Sequence, residues 1–159
     1  MNCQTCGNFL QVSPCRTCKW DDRFLAMAAF ISGWSKDPST KVGAVIVKGD
    51  VNIVSLGFNG FPQAMVDETE YYANREEKYS RIVHGEINAI IFAGHPVRGC
   101  TLYTHPFLPC DRCAVQVIQA GIARVVAPKP DAEKEARWGA AFEKTRQYFR
   151  ECGIDFLER

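Results

Sequence analysis

Eight cysteines stand at positions 3, 6, 15, 18, 100, 110, 113 and 152 of a 159-residue chain, and six of them form Cys-x-x-Cys pairs. Chance at that frequency would place about 0.4 such pairs in the chain. With no export signal in view, a reducing compartment makes metal binding, not disulfides, the expected use of these thiols. Zinc is the ion suited to thiolate and imidazole donors in tetrahedral sets. His84-Gly85-Glu86 and Pro109-Cys110-Asp111-Arg112-Cys113 together offer three such donors: His84, Cys110 and Cys113. Three protein ligands leave one tetrahedral position open, which separates a catalytic zinc from a structural one. Water at such a position ionises near neutral pH. Glu86, two residues beyond His84, lies close to the metal without ligating it and can carry a proton. The plainer alternative is a closed structural site completed by a fourth protein ligand, His105 being nearest in sequence.

Cys3, Cys6, Cys15 and Cys18 follow the spacing C-x2-C-x8-C-x2-C, which fits a closed, structural zinc site with four cysteine ligands. Nucleic-acid contact through Arg16, Lys19 and Arg23, or redox-active thiols, are the other readings of that segment. Cys100 and Cys152 are expected to be buried thiols.

The elements that must position these groups follow from hydrophobic periodicity. Phe24, Met27, Ala28, Ile31 and Trp34 recur at helical spacing, with Asp21 or Asp22 as the cap and Asp37-Pro38 as the stop. Residues 41–47 and 52–58 form two strands around the turn Lys48-Gly49-Asp50, and 59–80 are irregular. A helix over 84–93, a strand over 100–104, a helix over 109–119 and a strand over 124–127 come next. A helix over 132–152, with Trp138, Phe142, Tyr148 and Phe149 inward, leads to a last strand over 154–157. The order α-β-β-α-β-α-β-α-β predicts an α/β fold: a three-layer α/β/α sandwich on a five-stranded mixed sheet, its last two strands parallel. Residues 1–20 are expected to be a zinc-stapled extension and 21–159 the catalytic domain.

Nineteen basic against eighteen acidic residues, a formal net charge of +1, exclude a strongly basic nucleic-acid coat and an acidic tail. The longest apolar run, Phe24 to Ile31, is too short for a membrane span, and the N-terminus lacks a signal-peptide pattern. A cytoplasmic protein is expected.

His-x-Glu followed by Pro-Cys-x-x-Cys is a pattern of zinc-dependent nucleobase deaminases. From Asp21 onward the chain resembles the deoxycytidylate (dCMP) deaminase family of the cytidine deaminase-like superfamily. The resemblance rests on residues 34–44 (WSKDPSTKVGA), 57–62 (GFNGFP), Lys78-Tyr79, 84–90 (HGEINAI) and 119–122 (QAGI). It implies a catalytic zinc on His84, Cys110 and Cys113, with Glu86 as proton shuttle. The implied reaction is hydrolysis of dCMP, or a C5-substituted dCMP, to the corresponding dUMP and ammonia, supplying thymidylate synthesis. It further implies Asn59 at the sugar, Thr40, Lys41, Arg75 and Lys78 around the 5′-phosphate, and a homo-oligomer, often a hexamer. Regulation by dCTP and dTTP near the 57–60 turn is implied as well, with Mg2+ only beside a triphosphate effector. Phe58 stands where the family has tyrosine in that turn. Gly85 stands where it has alanine, and room for a C5 substituent is the expected consequence. Phe107 is open to two roles, stacking on the base or packing beneath the loop. Alternative substrates are dCTP, CMP or a polynucleotide cytosine. A nucleic-acid-binding zinc protein on an inactive deaminase scaffold is the alternative from another class. The near-zero net charge and the presence of Glu86 weigh against the last two.

Overall fold

The computed structural model describes residues 16–159, so Cys3, Cys6 and Cys15 lie outside the described residues. The first helix, α1 (Arg16–Ser32), starts ahead of Asp21 and carries the buried Cys18 in its first turn. The expected boundary at 20/21 therefore falls within a helix. Asp21 is no cap. It is fully buried, with both carboxylate oxygens accepting from the Arg124 guanidinium at 2.8 and 2.9 Å and Oδ1 accepting from the Tyr103 hydroxyl at 2.8 Å.

Residues Gly43–Lys48 (β1) are buried on both faces save the last, as befits a strand covered above and below. β1 pairs antiparallel with β2 (Asn52–Phe58) on one side and β3 (Thr101–His105) on the other. β4 (Arg124–Ala127) and β5 (Asp155–Glu158) continue the sheet in parallel, giving the order β2-β1-β3-β4-β5. The mixed five-stranded sheet and its parallel last pair match the sequence reading.

Alternation along β1 sends Val45 and Val47 to one face, where Phe24 and Ala28 of α1 cover them together with Tyr103 and Val126. Ala44 and Ile46 point to the other face, beneath α4 (Gly85–Phe92), α5 (Asp111–Gln119) and α6 (Ala132–Glu151). Phe142 and Phe149 of α6 are fully buried there, while Trp138 and Tyr148 are half-buried. Cys100 is buried as expected, but Cys152, at the C-cap of α6, is exposed. The two core clusters make up the three layers.

Two glycines set how closely the helices lie on the sheet. A Cβ on Gly43 would stand 2.0 Å from the Ala28 carbonyl, and one on Gly57 would stand 2.3 Å from the Gly85 carbonyl and 2.4 Å from the Ala89 nitrogen. Backbone rests on backbone at both places, so the start of α4 is seated directly on β2. Between β2 and α4, the stretch expected to be irregular holds two short helices, α2 (Thr69–Ala73) and α3 (Arg75–Arg81). Asn74 caps α3 by accepting from the Glu76 and Glu77 amides. The Phe61 and Tyr72 rings stack 4.2 Å apart and tie the loop down.

Candidate active site

The N-termini of α4 and α5 converge on the face of the sheet opposite α1. His84 is the N-cap residue of α4, Cys110 is the N-cap residue of α5, and Cys113 lies in the first turn of α5. His84 Nδ1 stands 3.2 Å from Cys113 Sγ and 3.7 Å from Cys110 Sγ, and the three donor atoms lie within 4.8 Å of one another. Donors on a tetrahedral zinc with bonds of about 2.0–2.3 Å stand roughly 3.6 Å apart, so the set has the spacing and chemistry the ion needs. Among the described residues no fourth His, Cys, Asp or Glu joins the group, and His105 is outside it.

These groups act on one another. Cys113 and then His84 hold the Cys110 thiol down to about 4, against burial. A hydrogen bond that His84 donates to Cys110 raises His84 to about 9. Contact with Cys110, together with burial, pushes the Cys113 thiol up. The helix N-termini beneath Cys110 and His84 favour negative charge at this point.

Glu86 lies in the first turn of α4, 2% exposed, and burial pushes its carboxyl up. Its Oε2 is buried without a hydrogen-bond partner among the described residues. An unsatisfied buried carboxylate oxygen costs on the order of 1–3 kcal/mol or more, so its position marks a place where something else is to bind.

A cavity opens against these groups. His84, Glu86 and Cys110 line it together with apolar Val42, Ile82, Phe107, Trp138, Ala141 and Phe142, and with polar Asp37, Ser39, Thr40, Asn59, Lys78 and Arg137. The polar side is internally braced. Lys78 Nζ donates to Asp37 Oδ1 at 2.7 Å, an ion pair with both side chains buried. Asp37 also accepts from the Ser39 and Thr40 amides. Asn59 Nδ2 donates to the Thr40 carbonyl at 2.9 Å and to Asp37 at 3.3 Å, and Oδ1 accepts from the Val42 amide at 2.7 Å. The loop from 37 to 42 is thereby pinned to the end of β2 and to α3.

The structure thus sorts the expected substrate contacts. Thr40, Asn59, Lys78 and Phe107 line the cavity. Both amide hydrogens of Asn59 are engaged within the protein, and the charge of Lys78 is engaged by Asp37. Phe107 lines the cavity while packing against Trp138 and Phe142 at 5.1 Å each, so wall and packing are one role. Lys41 lines only a second, adjoining cavity. Arg75 is outside both and lies 5.2 Å over the Tyr79 ring, which borders the first. Gly85 does not line the cavity: a Cβ there would meet the Val42 carbonyl at 3.1 Å, Phe58 Cα at 3.3 Å and the side chain of Val42, itself a lining residue, at 3.3 Å. Asp37 and Trp138, which the sequence reading gave other roles, and Ser39 and Arg137, which it gave none, also line the cavity. Their signal is faint, since Asp37 also reads as a helix stop and Trp138 as part of a core stripe.

Comparison with known proteins gives a consistent result. The family model for the "Cytidine and deoxycytidylate deaminase zinc-binding region" matches residues 18–129. An uncharacterized deaminase in the luxG 3′ region of Aliivibrio fischeri is 42% identical over 137 residues, covering 86% of this chain and 91% of that protein. Deoxycytidylate deaminase of Mus musculus is 39% identical over 144 residues, covering 87% of this chain and 78% of that one. In fold, the crystal structure of dCMP deaminase from cyanophage S-TIM5 in complex with dCMP and dUMP superposes with a TM-score of 0.70. It is 20% identical and covers 94% of this chain and all of that one.

Proposed function

Because the chain belongs to the cytidine and deoxycytidylate deaminase zinc-binding family, we propose that it hydrolyses dCMP to dUMP and ammonia. The observation that carries this reading is the buried Oε2 of Glu86, without a hydrogen-bond partner among the described residues, beside a three-donor His84/Cys110/Cys113 set. The mouse relative, a deoxycytidylate deaminase, supports dCMP as the substrate.

His84, Cys110 and Cys113 would hold a zinc ion, which would supply the Lewis acidity that makes water nucleophilic at neutral pH. Glu86 takes the proton that water loses as its oxygen forms a bond to C4 of cytosine, and passes that proton to N3. Glu86 then takes the remaining proton from the hydroxyl on C4 and delivers it to the departing amine as the C4–N bond breaks and the C4 carbonyl forms. Ammonia leaves, and uracil remains. Val42, Ile82, Phe107, Trp138 and Phe142 hold the base and keep bulk water from it. The Asp37–Lys78–Asn59 network keeps the 37–42 loop at the sugar, which Asn59 contacts through the remaining lone pair of Oδ1. Lys78 serves the site by shaping this wall, and Gly85 by seating α4 on β2.

The test is ammonia release by zinc-loaded protein offered dCMP, CMP, dCTP, deoxycytidine, 5-methyl-dCMP and a single-stranded oligonucleotide. Preference for dCMP or its 5-methyl analogue supports the reading. Preference for the oligonucleotide, or release from none of them, overturns it.

A second, structural zinc on Cys3, Cys6, Cys15 and Cys18 belongs to the same proposal, with α1 supplying Cys18 from its first turn. The residues ahead of α1 then form an extension attached to a deaminase domain that α1 itself opens. The proposal places the protein in the cytoplasm, and none of the described helices is long and apolar enough to cross a membrane. Assembly into a homo-oligomer, a hexamer by family resemblance, is supported by an exposed run of rings in which Trp34 stands 5.9 Å from Phe30 and 6.0 Å from Phe58. Phe58 lies in the 57–60 turn, where dCTP and dTTP, with Mg2+ on the triphosphate, would act on such an assembly. Native mass spectrometry is expected to return an oligomer carrying two zincs per chain. A single zinc per chain would contradict the four-cysteine site, and a monomer would contradict the assembly.

A further inference from the structure

The catalytic cavity shares Ser39, Thr40, Arg137 and Trp138 with a second cavity, which Lys41, Lys134 and Glu133 also border. The chemistry changes across that shared wall. The first cavity is mostly apolar, and the second is lined by three cations, one carboxylate and two hydroxyls.

The cations are not equivalent. In the first cavity Lys78 is spent on Asp37 at 2.7 Å. In the second, Lys134 is paired with Asp131. Arg137 makes no ion pair among the described residues, and Glu133, one helical turn before it on α6, does not bind it. Its guanidinium lies 4.5 Å from the centre of the Trp138 ring. Stacking fixes the position of a guanidinium without using its N–H donors, so the fork is held at the junction with its hydrogen bonds unspent. Trp138 in turn packs against Phe107, which keeps this arrangement continuous with the wall of the base cavity.

We propose that Arg137 is the residue by which this site distinguishes a 5′-nucleotide from a nucleoside. Its guanidinium takes the 5′-phosphate, with the Ser39 and Thr40 hydroxyls as further donors and Lys41 adding charge at the rim. This rests on the deoxycytidine nucleotide reading above and moves the phosphate contact from α3, where Arg75 and Lys78 were expected to make it, to α6. A planar fork matches phosphate oxygens two at a time, which a lysine cannot do.

The test compares kcat/KM on dCMP with kcat/KM on deoxycytidine for the zinc-loaded wild-type protein, Arg137→Ala and Arg137→Lys. The dCMP-over-deoxycytidine ratio is expected to fall roughly 10- to 100-fold in Arg137→Ala, the scale of charge-assisted hydrogen bonds, with partial recovery in Arg137→Lys. Binding of 2-deoxyribose 5-phosphate, which lacks a base, is expected by calorimetry to weaken by a similar factor. An unchanged ratio overturns the proposal. So does an equal fall on both substrates, which would make Arg137 a brace for Trp138 alone. Should the wild-type protein release no ammonia from dCMP, the substrate reading fails by itself. The calorimetry then decides Arg137: weaker sugar-phosphate binding by Arg137→Ala supports it, and equal binding overturns it.

Discussion

Glu86→Gln is expected to lower kcat on dCMP by roughly 10²–10⁴-fold or more, the usual scale for a general acid/base, while the protein keeps its catalytic zinc. The amide has nearly the shape of the carboxylate, so the first turn of α4 and the packing around it should stand. What is lost is the ability to accept a proton and give it back. The wild-type side chain is 2% exposed and its Oε2 has no partner among the described residues, so the role is not that of a surface charge or a helix-stabilising pair. His84, Cys110 and Cys113 supply the donors, so metal content should survive the change. The check is steady-state kinetics alongside zinc analysis of the same preparation. Loss of zinc, with activity falling only in proportion, would make Glu86 a group that holds the metal site together.

Lys78→Met is expected to destabilise the protein by about 3–5 kcal/mol, because it strands a buried carboxylate. Lys78 and Asp37 side chains are 9% and 2% exposed, and their 2.7 Å contact joins α3 to the loop after α1 across 41 positions of sequence. Methionine keeps most of the lysine stem but brings no charge. Asp37 would retain its bonds from the Ser39 and Thr40 amides and from Asn59, which places the loss toward the lower end of the range. Denaturant unfolding of the whole chain at fixed zinc measures it. A change below about 1 kcal/mol would show that water reaches the pair and that the 37–42 loop is held chiefly by Asn59.

What was legible in the sequence and what was not divides along sequence distance. His84 with Glu86, and Cys110 with Cys113, sit within one helical turn of each other, so their spacing alone carries a geometry. The resemblance to a known family then joins the two halves. The unbroken apolar run of β1 and the helix between the last two strands likewise announce a covered mixed sheet. Asp21 misleads because a carboxylate ahead of an apolar stripe looks like a cap. Its actual partners, Tyr103 and Arg124, are 82 and 103 residues away. α2 and α3 are too short to show a stripe, and the Asn74 cap with Glu76 and Glu77 is their one local trace. Gly85 invites a reading as space for the substrate, but what its missing methyl would meet, Val42 and Phe58, depends on where the strands lie beneath it. The partner of Lys78 was hidden for the same reason, since Asp37 lies 41 positions away.

Hydrolysis at C4 of dCMP can be followed by incubating zinc-loaded wild-type protein with dCMP bearing a 15N-labelled 4-amino group. One labelled ammonia and one dUMP are expected for each dCMP consumed. A folded, zinc-loaded protein that binds dCMP yet returns it with its label in place would contradict hydrolysis at C4.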